Sequence, residues 1–219
     1  PALLVAGIPS HLALGTNKLQ SCLGTTFSTA RYLKGGHLYL PTGIAAAICA
    51  LAGSFLGARL ALELPGQFLL RLLPFLVAGV GVFTFLSPRF GEEDRFEAGK
   101  RWNLPVAAVL GLTIGAYDGF FGPGTGSFLA FFNVLFFRFG FVRATAQAKL
   151  ANLASNVAAL LTFAAARQVL WLPALAMAGA NIAGNWLGAG LAIRKGPALI
   201  KPLFALVLLG LLVKLFFFA

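Results

Sequence analysis

The sequence predicts an all-α polytopic membrane protein with two inverted repeats of transmembrane helices, each containing a broken or re-entrant helical hairpin. Apolar residues make up 59% of the 219 positions and charged residues only 11%. Long uncharged runs recur, and the sequence matches itself at a fixed shift. A soluble domain of this size needs far more ionised side chains on its surface. The net charge of +11 therefore indicates basic loops on one side of a lipid bilayer rather than a nucleic-acid partner.

Six segments approach the roughly 20 apolar residues that a helix needs to cross a bilayer. They are 10–30, 38–58, 72–87, 144–166, 169–193 and 202–213. The first and fourth each contain a single lysine, Lys18 and Lys149. These two segments are therefore expected to face protein or water rather than lipid.

A seventh stretch, 104–137, is too long for one span and contains one charged residue, Asp118. Four glycines and a proline interrupt it between Gly119 and Gly126. Such a run cannot stay helical, so the stretch is predicted to form a helical hairpin with its turn at membrane depth. Irregular backbone at that depth must be buried in protein or line a cavity.

An internal repeat appears when the sequence is slid along itself so that 45–62 lies over 176–193, with half of the aligned pairs identical. The counterpart of 104–126 would precede residue 1. About 25 to 30 residues, forming a first helix and its glycine-rich break, are therefore expected to be missing. The predicted division is a truncated first repeat at 1–86, a linker at 87–103 and a second repeat at 104–219.

Counting basic residues decides between inverted and parallel repeats. If the hairpin returns to its starting side, Lys and Arg divide 11 to 4 between the two sides, and otherwise 8 to 7. The positive-inside rule favours the first division, inverted repeats and a cytoplasmic linker.

A polar stripe follows one face of the helix predicted at 144–166. Thr145, Lys149, Asn152 and Asn156 are spaced 4, 3 and 4 residues apart, which places them on one side of a helix. The repeat gives the last three the counterparts Lys18, Ser21 and Thr25. An intramembrane lysine costs about 2.5 to 3.5 kcal/mol, so it should face a partner or an aqueous cavity.

Two interpretations of the lysines stay open at this point. Two lysines beside one carboxylate, Asp118, leave positive charge to hold an anion. Alternatively, the lysines extend to opposite membrane surfaces and the amides only join helices. Asp118 itself could carry a coupling proton, pair with Lys149 or cap the broken backbone.

The glycine-rich turn is a second candidate anion site. Ser127 is the expected cap of the following helix, whose N–H groups would point into the protein. The alternative is a break that only permits tight packing. The turn lacks the Gly-Lys-Ser/Thr ending of a nucleotide-binding loop. No cysteine or histidine cluster has metal-ligand spacing, so neither a cofactor nor a metal is expected.

The expected site residues come from both repeats. The anion-binding residues are Asn17, Lys18, Ser21, Thr25, Gly124, Thr125, Gly126, Ser127, Lys149, Asn152 and Asn156. Asp118 has a coupling or structural role. The glycine pairs Gly53/Gly57 and Gly184/Gly188 fit either packing within the chain or a seam between copies in a homo-oligomer.

Three runs resemble the TauE/SafE (sulfite exporter) family, in its YfcA-like branch. They are GTNKLQ at 15–20, YDGFFGPGTGSF at 117–128 and ATAQAKLANLASN at 144–156. The family has a further acidic and glycine-rich segment ahead of the first Pro-Ala-Leu-Leu, in agreement with the repeat. The resemblance implies an inner-membrane carrier of sulfur-containing anions such as sulfite, sulfoacetate or other organosulfonates.

Three functions compete. The leading hypothesis is a secondary transporter with alternating access, for which proton coupling stays an open alternative. The second is an anion-selective channel. An enzyme using Ser127 or Asp118 is disfavoured, because no histidine lies near either in sequence and no second carboxylate accompanies Asp118 in the membrane segments.

Overall fold

The structure is a computed structural model that describes residues 6–69 and 93–195, together with Leu3 and Arg71. Within these ranges the chain forms helices and turns and contains no strand, as the predicted all-α class requires. The six long helices are α1 (Ser10–Lys34), α2 (Leu40–Glu63), α3 (Asn103–Phe120), α4 (Thr125–Phe137), α5 (Phe141–Ala165) and α6 (Trp171–Lys195). The predicted spans 72–87 and 202–213 lie outside the described residues.

Local sequence accounts for several helix ends. Pro41 lies in the first turn of α2, where its missing N–H is not needed. Helix α1 stops at Gly35, whose N–H donates to Arg31 O at 3.1 Å. The bounds also follow the internal repeat: at the shift that aligns the two halves, α5 begins and ends where α1 does, and α6 begins where α2 does.

Helices α2 and α3 approach each other closely, because glycines line their contact. These are Gly53 and Gly57 on α2 and Gly111, Gly115 and Gly119 on α3. A Cβ on Gly53 would overlap the carbonyl oxygen of Leu112, and one on Gly119 would overlap that of Ser54. Residue numbers rise together along this contact, so α2 and α3 are parallel. The Gly53/Gly57 face is therefore occupied within the chain, and a seam between copies at this face was a wrong alternative.

The other helix directions follow from contacts at both ends. Gly15 lies against Phe163, and Tyr32 clusters with Ala146, so α1 and α5 are antiparallel. Ser28 hydrogen-bonds Asn185, and Gly24 lies beside the same residue. Together with the bond between Gln20 and Asn181, these contacts make α1 and α6 parallel.

The stretch 104–137 folds as a helical hairpin. Helix α3 ends at Phe120, α4 begins at Thr125, and α4 returns along α3. Ile114 and Leu129 share one apolar cluster near the turn. Ala107 and Phe137 share another at the far end. The turn therefore lies inside the helix bundle, at the end of α3 that packs against α1, α2 and α5.

Polarity is distributed as in a membrane protein, with apolar side chains outside and polar ones inside. Ile48, Leu56 and Leu187 are about 60% exposed, whereas Lys18 and Asp118 are almost fully buried. By length and composition, α2 and α5 are the described helices that meet a strict test for crossing a membrane. Burying charge while exposing leucine is stable only in apolar surroundings.

Candidate functional site

The buried lysine of α1 pairs with the hairpin. The Lys18 ammonium lies 3.0 Å from Asp118 Oδ2 and donates to the backbone carbonyl of Asp118 at 2.5 Å. Both side chains are 2% exposed. Asp118 stands in the last turn of α3, next to the break. Of the roles considered for Asp118, pairing occurs, but its partner is Lys18 and not Lys149.

Asp118 also organises the turn that follows it. Its Oδ1 accepts from Thr125 Oγ1 at 2.8 Å, which ties the start of α4 to the end of α3. Gly122 and Gly124 have φ of 98° and 81°, the left-handed region that glycine adopts without strain.

Ser127 is not the helix cap that the sequence suggested. The cap position is occupied by Gly124, three residues before Ser127, and helix α4 begins at Thr125. The N–H groups of Thr125 and Ser127 donate to Gly122 O and Gly124 O at 3.3 and 2.9 Å. These two N–H groups, which were expected to bind an anion, therefore already donate to carbonyls within the turn. Gly126 is the open position in this turn, since no non-neighbouring residue of 6–69 and 93–195 lies within 4 Å of a Cβ built on it.

A short polar chain extends from Asp118 to two further helices. Ser155 Oγ on α5 donates to Asp118 Oδ2 at 2.5 Å. Ser54 Oγ on α2 donates to the backbone carbonyl of Ser155 at 2.6 Å. Asp118 thus connects α1, α4 and α5 directly and α2 through one intermediate. Several donors that converge on one buried carboxylate fix its position, because each bond is strong in these apolar surroundings.

The second lysine, Lys149, is half-buried and has different surroundings. The Lys149 ammonium donates to Asn185 Oδ1 on α6 at 2.9 Å, and no carboxylate of the described residues forms an ion pair with it. Lys149 lines a pocket of about 280 Å³ between α1, α5 and α6. The pocket is lined by Tyr32, Phe141, Thr145, Lys149, Gly184, Asn185, Gly188, Ala189, Leu191 and Ala192.

The structure does not bring the two lysines to one point. Because Phe163 lies beside Gly15 and Ala146 beside Tyr32, Lys149 is level with a part of α1 well beyond Lys18, near Thr29. At a rise of about 1.5 Å per residue, the two positions are about 16 Å apart along the helices. Lys18 contacts the end of α3 at the hairpin turn, whereas Lys149 lines the pocket.

The remaining polar residues expected at the site bond mostly within their own helices. Thr25 Oγ1 donates to Ser21 O at 2.7 Å, and Asn156 Nδ2 donates to Asn152 O at 2.8 Å. Asn17 is different, because its Oδ1 accepts from Gln20 at 2.7 Å and so joins a polar chain that leads to α6.

Sequence reasoning missed several polar residues of these networks, among them Ser54, Ser155, Gln20, Asn181 and Asn185. Asn181 and Asn185 lie four residues apart in a helix without charge until Arg194, which puts them on one face. Asn185 is also the repeat counterpart of Ser54, at the same shift that aligns Lys18 with Lys149. Either signal would have found it.

The described part of the linker is attached to the helix bundle at one end. Asp94 pairs with Arg143 at 3.0 Å. The Phe96 ring lies between those of Tyr39 and Phe139, with centroids 4.8 and 4.2 Å away. The charged side chains of this segment are exposed, but Phe96 anchors it between the starts of α2 and α5.

The family profile for Sulfite exporter TauE/SafE matches residues 1–215. This chain belongs to the TauE/SafE family. The match covers both lysine-bearing helices and the hairpin described above. TauE/SafE proteins are transporters, so the family assignment agrees with the expectation that the chain is not an enzyme.

Relatives of this TauE/SafE chain carry transporter names. A probable membrane transporter protein, ORF9, from a Sinorhizobium species is 39% identical over 98% of this chain and 82% of its own length. The probable membrane transporter YfcA of Escherichia coli K12 is 37% identical over 94% of this chain and 76% of its own. A probable membrane transporter of Haemophilus influenzae is 34% identical, over 94% and 80%. No solved structure matches the chain. The chain is accordingly a membrane protein of transporter type.

Proposed function

We propose that the protein is a secondary transporter of sulfur-containing anions, such as sulfite, sulfoacetate or other organosulfonates, and that Lys149 is its anion-binding cation. The family description names sulfite, which supports the substrate class. The observation that carries the proposal is the environment of Lys149, a lysine on a pocket wall whose described contact is a neutral amide.

Charge balance distinguishes the buried Lys18 from the half-buried Lys149. The Lys18 charge is compensated by Asp118 at 3.0 Å, so an anion there would face a neutral pair. Lys149 has an amide oxygen in place of a carboxylate, and its positive charge remains for a ligand. Tyr32 stands on the same pocket wall, and its hydroxyl can donate a hydrogen bond to a sulfonate or sulfite oxygen. The Thr145 hydroxyl on that wall already donates to Phe141 O at 2.8 Å.

Inverted repeats would allow the Lys149 pocket to open in turn to each side of the membrane. Contacts pair α1 with α6 and α2 with α5, the exchange expected when two halves are related by a two-fold axis in the membrane plane. The antiparallel pair α1 and α5 carries the matched lysines. Alternating exposure of the Lys149 pocket would follow from movement of one half against the other.

Charge at the helix ends supports an inner-membrane orientation with a cytoplasmic linker. The basic residues at the linker end are Arg31, Lys34, Arg95, Lys100, Arg101, Arg138, Arg143 and Arg194. Those placed towards the other end include Arg59 and Arg167. Such an excess marks the cytoplasmic side. Trp102 and Trp171, each more than 50% exposed, begin helices at opposite ends, where interfacial tryptophans belong.

Transport by purified protein in liposomes tests the proposal. Counterflow of labelled sulfite or methanesulfonate is expected for the wild type and for Lys149→Arg, and a loss of at least about ten-fold is expected for Lys149→Ala. Unchanged uptake by a folded Lys149→Ala variant would remove Lys149 from the mechanism. Single-channel current in place of saturable counterflow would replace the carrier by a channel.

A further inference from the structure

The amide that contacts Lys149 is the end of a hydrogen-bonded chain. Asn185 Nδ2 donates to Asn181 Oδ1 at 2.5 Å and to the Asn181 carbonyl at 3.0 Å. Asn181 Nδ2 donates to Gln20 Oε1 at 3.0 Å, and Gln20 Nε2 donates to Asn17 Oδ1 at 2.7 Å. Four amides thus connect α6 to α1 with their donors all pointing the same way.

This direction fixes which atom Asn185 presents to Lys149. Both donors of the Asn185 side chain are turned toward Asn181, so its oxygen is left to face the ammonium. Ser28 Oγ lies 3.3 Å from the same oxygen, but its one hydrogen is shared with the nearer Thr25 carbonyl at 3.1 Å. Bonds in such a chain polarise one another, so the oxygen at its end is a better acceptor than an isolated amide.

An anion bound to Lys149 must share the ammonium with this oxygen. An ammonium has three donors and no acceptor, and a sulfonate or sulfite group can accept several hydrogen bonds at once. The strength of the bond from Lys149 to Asn185 is therefore part of the free energy of anion binding.

We propose that Asn185 determines the anion affinity of the Lys149 pocket, because its side-chain oxygen competes with the ligand for the ammonium and the chain through Asn181, Gln20 and Asn17 holds that oxygen in place. The inference rests on the proposed function for the identity of the ligand. The competition between the Asn185 oxygen and other acceptors for the Lys149 ammonium does not depend on which anion is transported.

The experiment compares Asn185→Asp and Asn185→Leu, which are close to asparagine in size, in the full chain. A carboxylate at this position would form an ion pair with Lys149, and methanesulfonate binding measured by titration should weaken by about ten-fold or more. Removing the oxygen should tighten binding about three-fold or more. Unchanged affinity in both variants, or weaker binding by Asn185→Leu, would overturn the proposal. Asn185→Ser introduces the residue that stands at the matching position of the first repeat, Ser54. It replaces any variant that does not fold.

A second readout needs no transported anion. The rate at which a small neutral acylating reagent modifies Lys149, measured by mass spectrometry, should fall in Asn185→Asp and rise in Asn185→Leu. Modification of Lys100, whose side chain is 45% exposed and pairs with Glu97 in the linker, serves as the internal control. Changed labelling without any sulfonate binding would keep the Asn185 proposal and reject the substrate class. Equal labelling rates in all three proteins would overturn the Asn185 proposal itself.

Discussion

Lys18 and Asp118 form an ion pair, 3.0 Å between Nζ and Oδ2, in which both side chains are 2% exposed. The pair joins α1 to the last turn of α3, one residue before the glycine-rich break begins. Its additional donors, Thr125 and Ser155, come from α4 and α5. The buried charge of this hairpin is therefore used to assemble four helices around the turn.

Removing one member of the pair should destabilise the protein strongly. In Asp118→Asn the Lys18 ammonium stays buried without a counter-charge, an arrangement that costs about 3 to 5 kcal/mol. Lys18→Met should cost a similar amount, because it leaves the carboxylate unpaired. Unfolding by denaturant in detergent measures both losses.

The double variant Lys18→Met with Asp118→Asn is the control. Because neither charge remains, its loss should be clearly smaller than the sum of the single losses. Additive losses would contradict the ion pair. The double variant also separates two roles of Asp118: a structural residue leaves anion uptake in place, whereas a proton-coupling residue makes the folded protein lose proton-driven uptake.

The serines beside this pair should contribute less. Ser155→Ala removes one donor to Asp118 Oδ2 but leaves Lys18 in place, so we expect a loss of about 1.5 to 3 kcal/mol, the range for a hydrogen bond to a charged group. Ser54→Ala removes a bond to a neutral carbonyl and should cost about 1 kcal/mol. The ranking, measured in the same unfolding assay, is the test, and a larger loss for Ser54→Ala would contradict it.

Glycines on the two sides of the molecule should respond oppositely to alanine. Gly53→Ala places a methyl group against the Leu112 carbonyl, so α2 and α3 must separate and the protein should lose stability. Gly179 in α6 has no neighbour within 4 Å of its Cβ position in the part of the chain that the structure describes. There, alanine should stabilise the helix by up to about 1 kcal/mol. Thermal unfolding in detergent compares them, and equal shifts would mean that the α2–α3 contact is looser than described.

Much of the fold follows from the sequence because membrane helices are governed by length, charge and periodicity. The break at Gly122 and Gly124 was readable because few other residues adopt positive φ. The shift that aligned Lys18 with Lys149 also matches helix bounds, since α5 reproduces both ends of α1.

The partners of the polar side chains were harder to predict. A stripe on one helix shows which residues share a face, but not which helix that face meets. For this reason Asp118 was open to pairing with Lys149, although it meets Lys18. Asn185 was missed although Asn181 lies on the same helix face, because amides in an apolar helix add no charge signal and the role of Asn185 depends on the lysine that it contacts.

Filling the Lys149 pocket should block anion binding without unfolding the protein. Gly188 lines the pocket, and no atom of the described residues lies within 4 Å of a Cβ built on it. Leucine there meets no backbone, is a good helix former, and extends into a cavity of about 280 Å³. We expect Gly188→Leu to retain the unfolding midpoint of the wild type and to lose methanesulfonate binding.

Gly179→Leu is the matched control, because it makes the same change in the same helix at an equally open position outside the pocket lining. It should bind methanesulfonate with wild-type affinity. If both leucine variants bind normally, the anion site lies elsewhere, and the turn beside Lys18 becomes the next candidate. If both lose binding while staying folded, α6 acts through its outer surface. Loss in Gly188→Leu alone locates the anion between Lys149 and the α6 glycines Gly184 and Gly188, where the Asn185 oxygen competes with it for the Lys149 ammonium.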